Sequence, residues 1–487
     1  MAERTASRRD FLKVSAAGPV AIGAAAFGAA AFGAGRAGAR VLPLQPSPPP
    51  PRSPNDKIQI ALIGAGGQGQ HDAGVALEVP GVALVAASDC YDGRMTRCKE
   101  KWGNHLVTAR RYEEILARPD VDAVIIATSD HWHQQIALDA MNAGKDVYVE
   151  KPMIQHADQG QALIDGAKKT GRVLQVGSQR VSSIVYTKAR ELIEAGAIGD
   201  LNLVEAYIDR NSALGAWQYS IPPDASPQTI DWDRYLGPAP KRAFEAQRLF
   251  RFRNYRDYGT GVAGDLFVHL FSGIHYILAS NGPTRVIATG GLRFWKDGRD
   301  VPDVMIAVCD YPATDTHPAF NLTLRVDFAA GGGGGSQFRF VGSEGMLMLE
   351  GDEVRVSKSA REDAPGHTID TFPEAVQHAF LKEYYEKYPK DEPSFSRTHA
   401  AMRQQPEDVW TAPSGYDDSY DHFANFFDAV RTRSSVVEDA TFGLRAAGPA
   451  VLSNASYFEQ RPVSWDPEQM VVVDGDKTAR TSASAAR

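Results

Sequence analysis

The chain predicts an α/β protein: an N-terminal Rossmann-type, doubly wound domain, then an α+β domain with an open, mainly antiparallel sheet. Three observations predict it. A glycine-rich turn, Gly64-Ala65-Gly66-Gly67-Gln68-Gly69, follows directly on the β-rich run Lys57 to Ile63. Apolar runs then alternate with helical stretches to about residue 178. Beyond that point strands follow one another without alternating helices. Composition agrees. The chain has 487 residues, 43% hydrophobic and 23% charged, which excludes a wholly disordered or polytopic membrane protein. Its 52 Lys and Arg against 60 Asp and Glu leave a net charge of −8, so there is no basic footprint for nucleic acid. The three cysteines, Cys90, Cys98 and Cys309, have no CxxC spacing, which argues against a disulfide scaffold or a cysteine zinc site.

Residues 1–39 read as an export signal. Ser7-Arg8-Arg9-Asp10-Phe11-Leu12-Lys13 is followed by an Ala/Gly-rich apolar stretch from Val14 to about Gly35 and by small residues ending at Ala39. The doubled arginine resembles a twin-arginine signal. The expected location is periplasmic or otherwise exported, with the twin-arginine machinery as a partner. If the signal stays uncleaved, the stretch is a membrane anchor. Residues 40–55 read as a Pro-rich linker.

Residues 56–178 form the nucleotide-binding half. Gly64 serves the tight turn, Gly66 close approach to a pyrophosphate, and Gly69 helix packing on the strand. Gly67 and Gln68 open the helix, whose N-terminal amides face phosphate. Asp89 closes the next strand, 20 residues after Gly69, and can accept a ribose 2′-hydroxyl. That favours NAD, while Arg94 keeps NADP open. A glycine-rich turn with no ligand is the alternative reading, and this order of elements weighs against it. Next come the strand Val121–Thr128, a loop Ser129–His133, a helix to Ala143, the strand Asp146–Val149 with Glu150-Lys151-Pro152 at its end, a helix over 157–170, and Val173–Gly177. Ligands bind beyond the carboxyl ends of such strands, so Asp89, Thr128, His133, Glu150, Lys151 and Gln179 are expected to gather there. Asp130, His131 and His133 lack a further ligand, so no metal is expected. Trp132 is expected to pack against the cofactor or a neighbouring loop.

Residues 179–470 form the second domain. A helix is expected over 182–195 and strands over 201–208, 285–291, 304–310, 320–328, 336–341 and 346–357. Stretches 209–258 and 358–418 read as inserted loops, Gly331–Gly335 as a turn, and 471–487 as a tail. A helix from Ala263 to Ser280 places Asp265 and His269 on one face. An acid one turn from a histidine can orient the imidazole and raise its basicity. A surface ion pair or a capping acid is the plainer reading of that spacing. His275 points elsewhere and reads as a packed histidine.

These residues together resemble the glucose-fructose oxidoreductase / inositol dehydrogenase / MocA (Gfo/Idh/MocA) family. The marks are the GxGxxG, Ala143-Gly144-Lys145-Asp146-Val147-Tyr148-Val149-Glu150-Lys151-Pro152, and Gly264-Asp265 with His269. Asp231 to Pro240, Gly342-Ser343-Glu344-Gly345 and Trp465-Asp466-Pro467 look like further landmarks. The resemblance covers roughly residues 56–467. It implies an NAD(P)-dependent oxidoreductase acting on CH–OH, with a small carbohydrate as substrate. Lys151, Asp265 and His269 would be catalytic: His269 the base, Asp265 its orienting acid, Lys151 a hydrogen-bond donor to the same oxygen. Glu150 would help hold the nicotinamide ribose. Homo-oligomers are implied too. Export away from a free NAD pool suggests a retained, recycled cofactor. A redox-neutral glycosidase or lyase using transient oxidation, and a non-catalytic carbohydrate sensor, stay open.

Overall fold

The computed structural model describes residues 40–45, 57–358, 366, 368–389 and 407–473. The export signal, most of the linker and residues 474–487 of the tail lie outside the described residues.

The Rossmann sheet has six parallel strands. In chain order they are β2 (Ile58–Ile63), β3 (Val82–Ser88), β4 (Val107–Ala109), β5 (Ala123–Ile126), β6 (Asp146–Glu150) and β7 (Leu174–Gly177); β1 (Arg40–Pro43) lies elsewhere. The spatial order is β4-β3-β2-β5-β6-β7, so the direction of winding reverses between β2 and β5. A ligand crevice opens at that point, outside the carboxyl ends. Strands β5, β6 and β7 are buried along their whole length, as a sheet covered on both faces requires. Helix α1 (Gly67–Glu78) covers β2 from one side.

The second sheet has eleven strands. Its centre is β8 (Leu201–Asp209), which pairs parallel with Phe320–Asp327 and antiparallel with Gly335–Gly342. Alternation of buried and exposed residues along Val304–Tyr311 and Phe320–Asp327 shows one covered and one open face. Several expectations need correction. The run 346–357 is two strands, Gly345–Glu350 and Glu353–Lys358, because Gly351 takes φ +58° and reverses the chain. Arg40–Pro43, read as linker, pairs parallel with Asp408–Thr411 at the sheet edge. Val471–Val473, read as tail, pairs with Ser464–Asp466 at the other edge. The helix expected over 182–195 spans Ile184–Glu194 behind a 3₁₀ turn at Gln179–Ser182.

A helix from the second half returns to the first. Asp418–Thr432 lays Phe423, Phe426, Phe427 and Val430 on the face formed by Ile58, Ile60 and Ile125. The Rossmann core is therefore completed by residues far along the chain, and 179–470 is not one separate spatial unit.

Candidate active site

The glycine turn holds a conformation that only its glycines allow. Gly64 has φ +91°, and a Cβ there would lie 2.6 Å from the Ala127 carbonyl carbon. A Cβ on Gly69 would lie 2.1 Å from the Gly64 oxygen. Around Gly67 there is open space for 4 Å, and no acidic side chain occupies the first turn of α1. A 12-residue helix that opens on bare amides beside open space fits a dinucleotide pyrophosphate. Asp89 shapes this turn: Oδ2 accepts from Ala65 N at 2.8 Å and Oδ1 from Tyr91 N at 2.9 Å. Oδ1 keeps a second lone pair for a ribose hydroxyl. Arg94 stands 3.4 Å from Asp89 Oδ2 and beside Gly66. The Gln68 amide folds back to Asp72.

Lys151 follows β6 directly, in a peptide with Pro152 that is cis. Its Nζ donates to Asp265 Oδ1 at 2.9 Å and to the Asp265 carbonyl at 3.0 Å. Asp265 lies within a π-helical turn, Ala263–Phe267, that opens the α-helix Val268–Leu278. The continuous α-helix expected from Ala263 therefore begins one wide turn late. Such turns change side-chain direction within a helix and recur at functional sites. Arg253, from the first inserted loop, donates Nε to the same Asp265 Oδ1 at 2.9 Å. Burial alone would raise the Asp265 carboxyl, but Lys151, Arg253 and Arg210 outweigh it and hold it well below the usual carboxylate range. Asp265 is an anion at every physiological pH.

This geometry corrects one expected role. Asp265 accepts its hydrogen bonds from two cations and none from His269, because charge-assisted donors at 2.9 Å are the stronger partners. The imidazole of His269 makes no hydrogen bond with the described residues, and burial and then Lys151 push it well below the ordinary histidine value. It is a neutral base. Glu150 is buried and accepts from Gln179 Nε2 at 2.8 Å. Burial, opposed by Lys151, pushes its carboxyl up to about 7.

Two of the residues expected at the cofactor take part in bracing the site. His133 is buried, with Nδ1 2.8 Å from the Pro152 carbonyl and Nε2 3.2 Å from the Thr128 carbonyl. Burial keeps the ring neutral, so its single N–H donates to one of these carbonyls, and the ring sits between the loop after β5 and the Lys151-Pro152 loop. Thr128 contributes that carbonyl, and its hydroxyl turns to Ser129 O. Asp130 accepts from Thr260 N at 2.9 Å and Oγ1 at 2.7 Å, tying the Rossmann half to the segment that leads into the π turn. His131 and Trp132 both reach the Tyr235 carbonyl, so the Asp231–Pro240 loop docks here. Trp217, Tyr255 and Tyr258 are buried and hold the inserted loop together. His275 is buried against the Tyr311 hydroxyl. A cavity of about 790 Å³ opens on His131, Gln155, Asn454 and Phe458; Lys151, Asp265 and His269 are not in its wall. Sequence reasoning gave no role to Arg210 or Arg253. No spacing marks them, since each meets the site through the tertiary fold.

Comparison with known proteins agrees. Residues 58–178 match the family profile of the GFO_IDH_MocA oxidoreductases, NAD-binding Rossmann fold. Residues 210–289 match the C-terminal alpha/beta domain of the same oxidoreductase family. Over these two stretches the chain is similar to that family. An inositol 2-dehydrogenase of Gluconacetobacter diazotrophicus is 32% identical over 160 residues, covering 32% of this chain and 47% of that protein. A scyllo-inositol 2-dehydrogenase (NAD(+)) of Bacillus subtilis is 33% identical over 144 residues, covering 29% and 42%. The matches thus span less than half the length of these relatives. Among solved structures, a levoglucosan dehydrogenase in complex with NADH superposes with a TM-score of 0.58 at 18% identity, covering 84% of this chain and 99% of that one. A putative NADPH-dependent oxidoreductase from Desulfitobacterium hafniense gives 0.59 at 15%, covering 85% and 99%. At such identities the likeness is one of fold.

Proposed function

We propose that this chain is an NAD(P)-dependent oxidoreductase that oxidises a secondary hydroxyl of a sugar, polyol or sugar derivative. The observation that carries the reading is the Lys151–Asp265 pair, 2.9 Å apart, with the neutral imidazole of His269 one turn further along the helix. A bound NAD(P) supplies the hydride acceptor. His269 takes the hydroxyl proton as the hydride leaves the carbinol carbon, so the alcohol becomes a carbonyl. Lys151 donates to the same oxygen and stabilises the developing alkoxide. Asp265 positions Lys151 and Arg253. Asp89 and the glycine turn hold the adenosine side, and Glu150 with Gln179 the nicotinamide ribose. The inositol dehydrogenases among the relatives support a polyol-like substrate.

The twin-arginine-like segment supports export, and export supports a cofactor loaded beforehand and recycled in place by a second half-reaction. Ile287, Ile306 and Val308, exposed on the open sheet face, support a homo-oligomer covering that face. The test is purification of the exported protein, release of its nucleotide for mass spectrometry, and a sugar panel followed by reduced-nicotinamide absorbance. Lys151→Met and His269→Gln are expected to cut kcat by about 10²–10⁴-fold while the protein stays folded. Full turnover in both variants overturns the assignment. Cleaved glycosidic bonds with no oxidised sugar reassign the site to redox-neutral chemistry.

A further inference from the structure

We propose that the substrate is an anionic sugar, one bearing a carboxylate or phosphate, and that Arg253 with Arg210 recognises that group. The inference rests on the oxidoreductase reading and names its substrate class.

The argument begins with unspent donors. The Arg253 side chain is four-fifths buried. Only its Nε is engaged, on Asp265 Oδ1. Neither terminal amino group donates to a described residue, so four N–H bonds of a planar fork are left over. Arg210 uses Nη1 on the Gly215 carbonyl at 2.9 Å and no other donor of its guanidinium on a described residue. Nothing in the fold requires these donors to stay unused, and leaving them so in a largely buried site is costly.

Charge leads to the same conclusion. Lys151, Arg253 and Arg210 all act on Asp265. Among the described residues Asp265 is the one carboxylate paired with Lys151 and Arg253, which share a single oxygen of it, while Arg210 acts on it without a hydrogen bond. Glu150 restores the balance only in part, because burial brings its carboxyl to about 7 and leaves it about half ionised at neutral pH. Asp130 is committed to Thr260, and burial raises its carboxyl too. Guanidinium does not deprotonate, so this excess cannot be relieved by losing a proton. Partly buried cations in excess favour an incoming anion. A neutral polyol leaves the excess in place; an oxyanion that accepts two N–H bonds from the Arg253 fork removes it. Arg253 and Arg210 come from the ends of the first inserted stretch, so that insertion would set specificity upon a general dehydrogenase site.

The experiment uses the full chain with added NAD or NADP and compares kcat/KM for matched substrates: glucose, glucuronate and glucose 6-phosphate, then galactose, galacturonate and myo-inositol. At least one charged sugar is expected to exceed its neutral partner about tenfold or more. The glucuronate and phosphate arms show which oxyanion the fork takes. Arg253→Gln and, separately, Arg210→Gln are expected to bring that ratio toward one, with the charged sugar losing more than the neutral one. Arg210 makes no contact with Asp265 by hydrogen bond, so its variant keeps the test open if Arg253→Gln disturbs folding. Preference for neutral sugars, or a ratio unmoved in both variants, overturns the inference while leaving the oxidoreductase reading intact. Absence of cofactor reduction by every sugar overturns the oxidoreductase reading and the inference with it.

Discussion

Asp265 shows how burial and charge compete at one residue. Removal from water opposes its ionisation, and the facing cations win because they sit at hydrogen-bond distance. At Glu150 the outcome is reversed: burial wins over Lys151, and the carboxyl rises from an ordinary 4.5 to about 7. The sign of the stability effect follows. Between these values the folded chain holds a proton that the unfolded chain has released. Stability from this group is therefore full below about 4.5 and lost as pH rises through 7, a change of at most about 3 kcal/mol. Glu150→Gln removes the titration and keeps a polar partner for Gln179. Relative to wild type, the variant should gain thermal stability between pH 5 and pH 8. Parallel melting curves at the two pH values check this; a constant difference would count against a titrating Glu150.

At the scale of elements, the glycine turn and the brace do different work. Gly69→Ala drives a methyl into the Gly64 carbonyl at 2.1 Å, so either β2 or α1 must move. A loss of about 3 kcal/mol or more is expected, together with loss of nucleotide binding. Gly67→Ala meets nothing within 4 Å and should change the stability of the nucleotide-free protein by no more than about 0.5 kcal/mol. Denaturant titration of the two variants separates these outcomes. The glycines were readable in the sequence because a turn before a helix leaves a local signature. The π turn at Ala263–Phe267 was not: its sequence also suits an α-helix, and the wider turn coincides with contacts made by Lys151 and Arg253 from distant segments.

At the scale of the molecule, the two halves share one interior. His422, on the helix Asp418–Thr432, lies between Ser182 Oγ and the Val176 carbonyl, each at 2.8 Å. Burial, opposed by that carbonyl, lowers its imidazole to about 4. A buried neutral histidine adds stability that is full above its unfolded value of about 6.5 and is lost as pH falls toward 4. His422→Gln should therefore be clearly destabilising at pH 7.5, by about 1–3 kcal/mol, and much less so at pH 5. Melting temperatures of both proteins at the two pH values test it; an equal penalty at both would show that the imidazole does not titrate there. The difference between proteins is the correct readout, because Glu150 shifts the absolute curve the opposite way over part of this range.

The sequence by itself determined the strand–glycine–helix unit and the βα alternation that follows, each a local pattern whose physical cause acts within a few residues. The candidate trio Lys151, Asp265 and His269 rested instead on the family resemblance. Only the tertiary structure decided that Asp265 serves Lys151 and Arg253, that His133 is a brace, and that a late helix closes the Rossmann core. Hydrogen bonds and buried faces join residues from a dozen to hundreds of positions apart, and their strength depends on distance and burial, which no local pattern records.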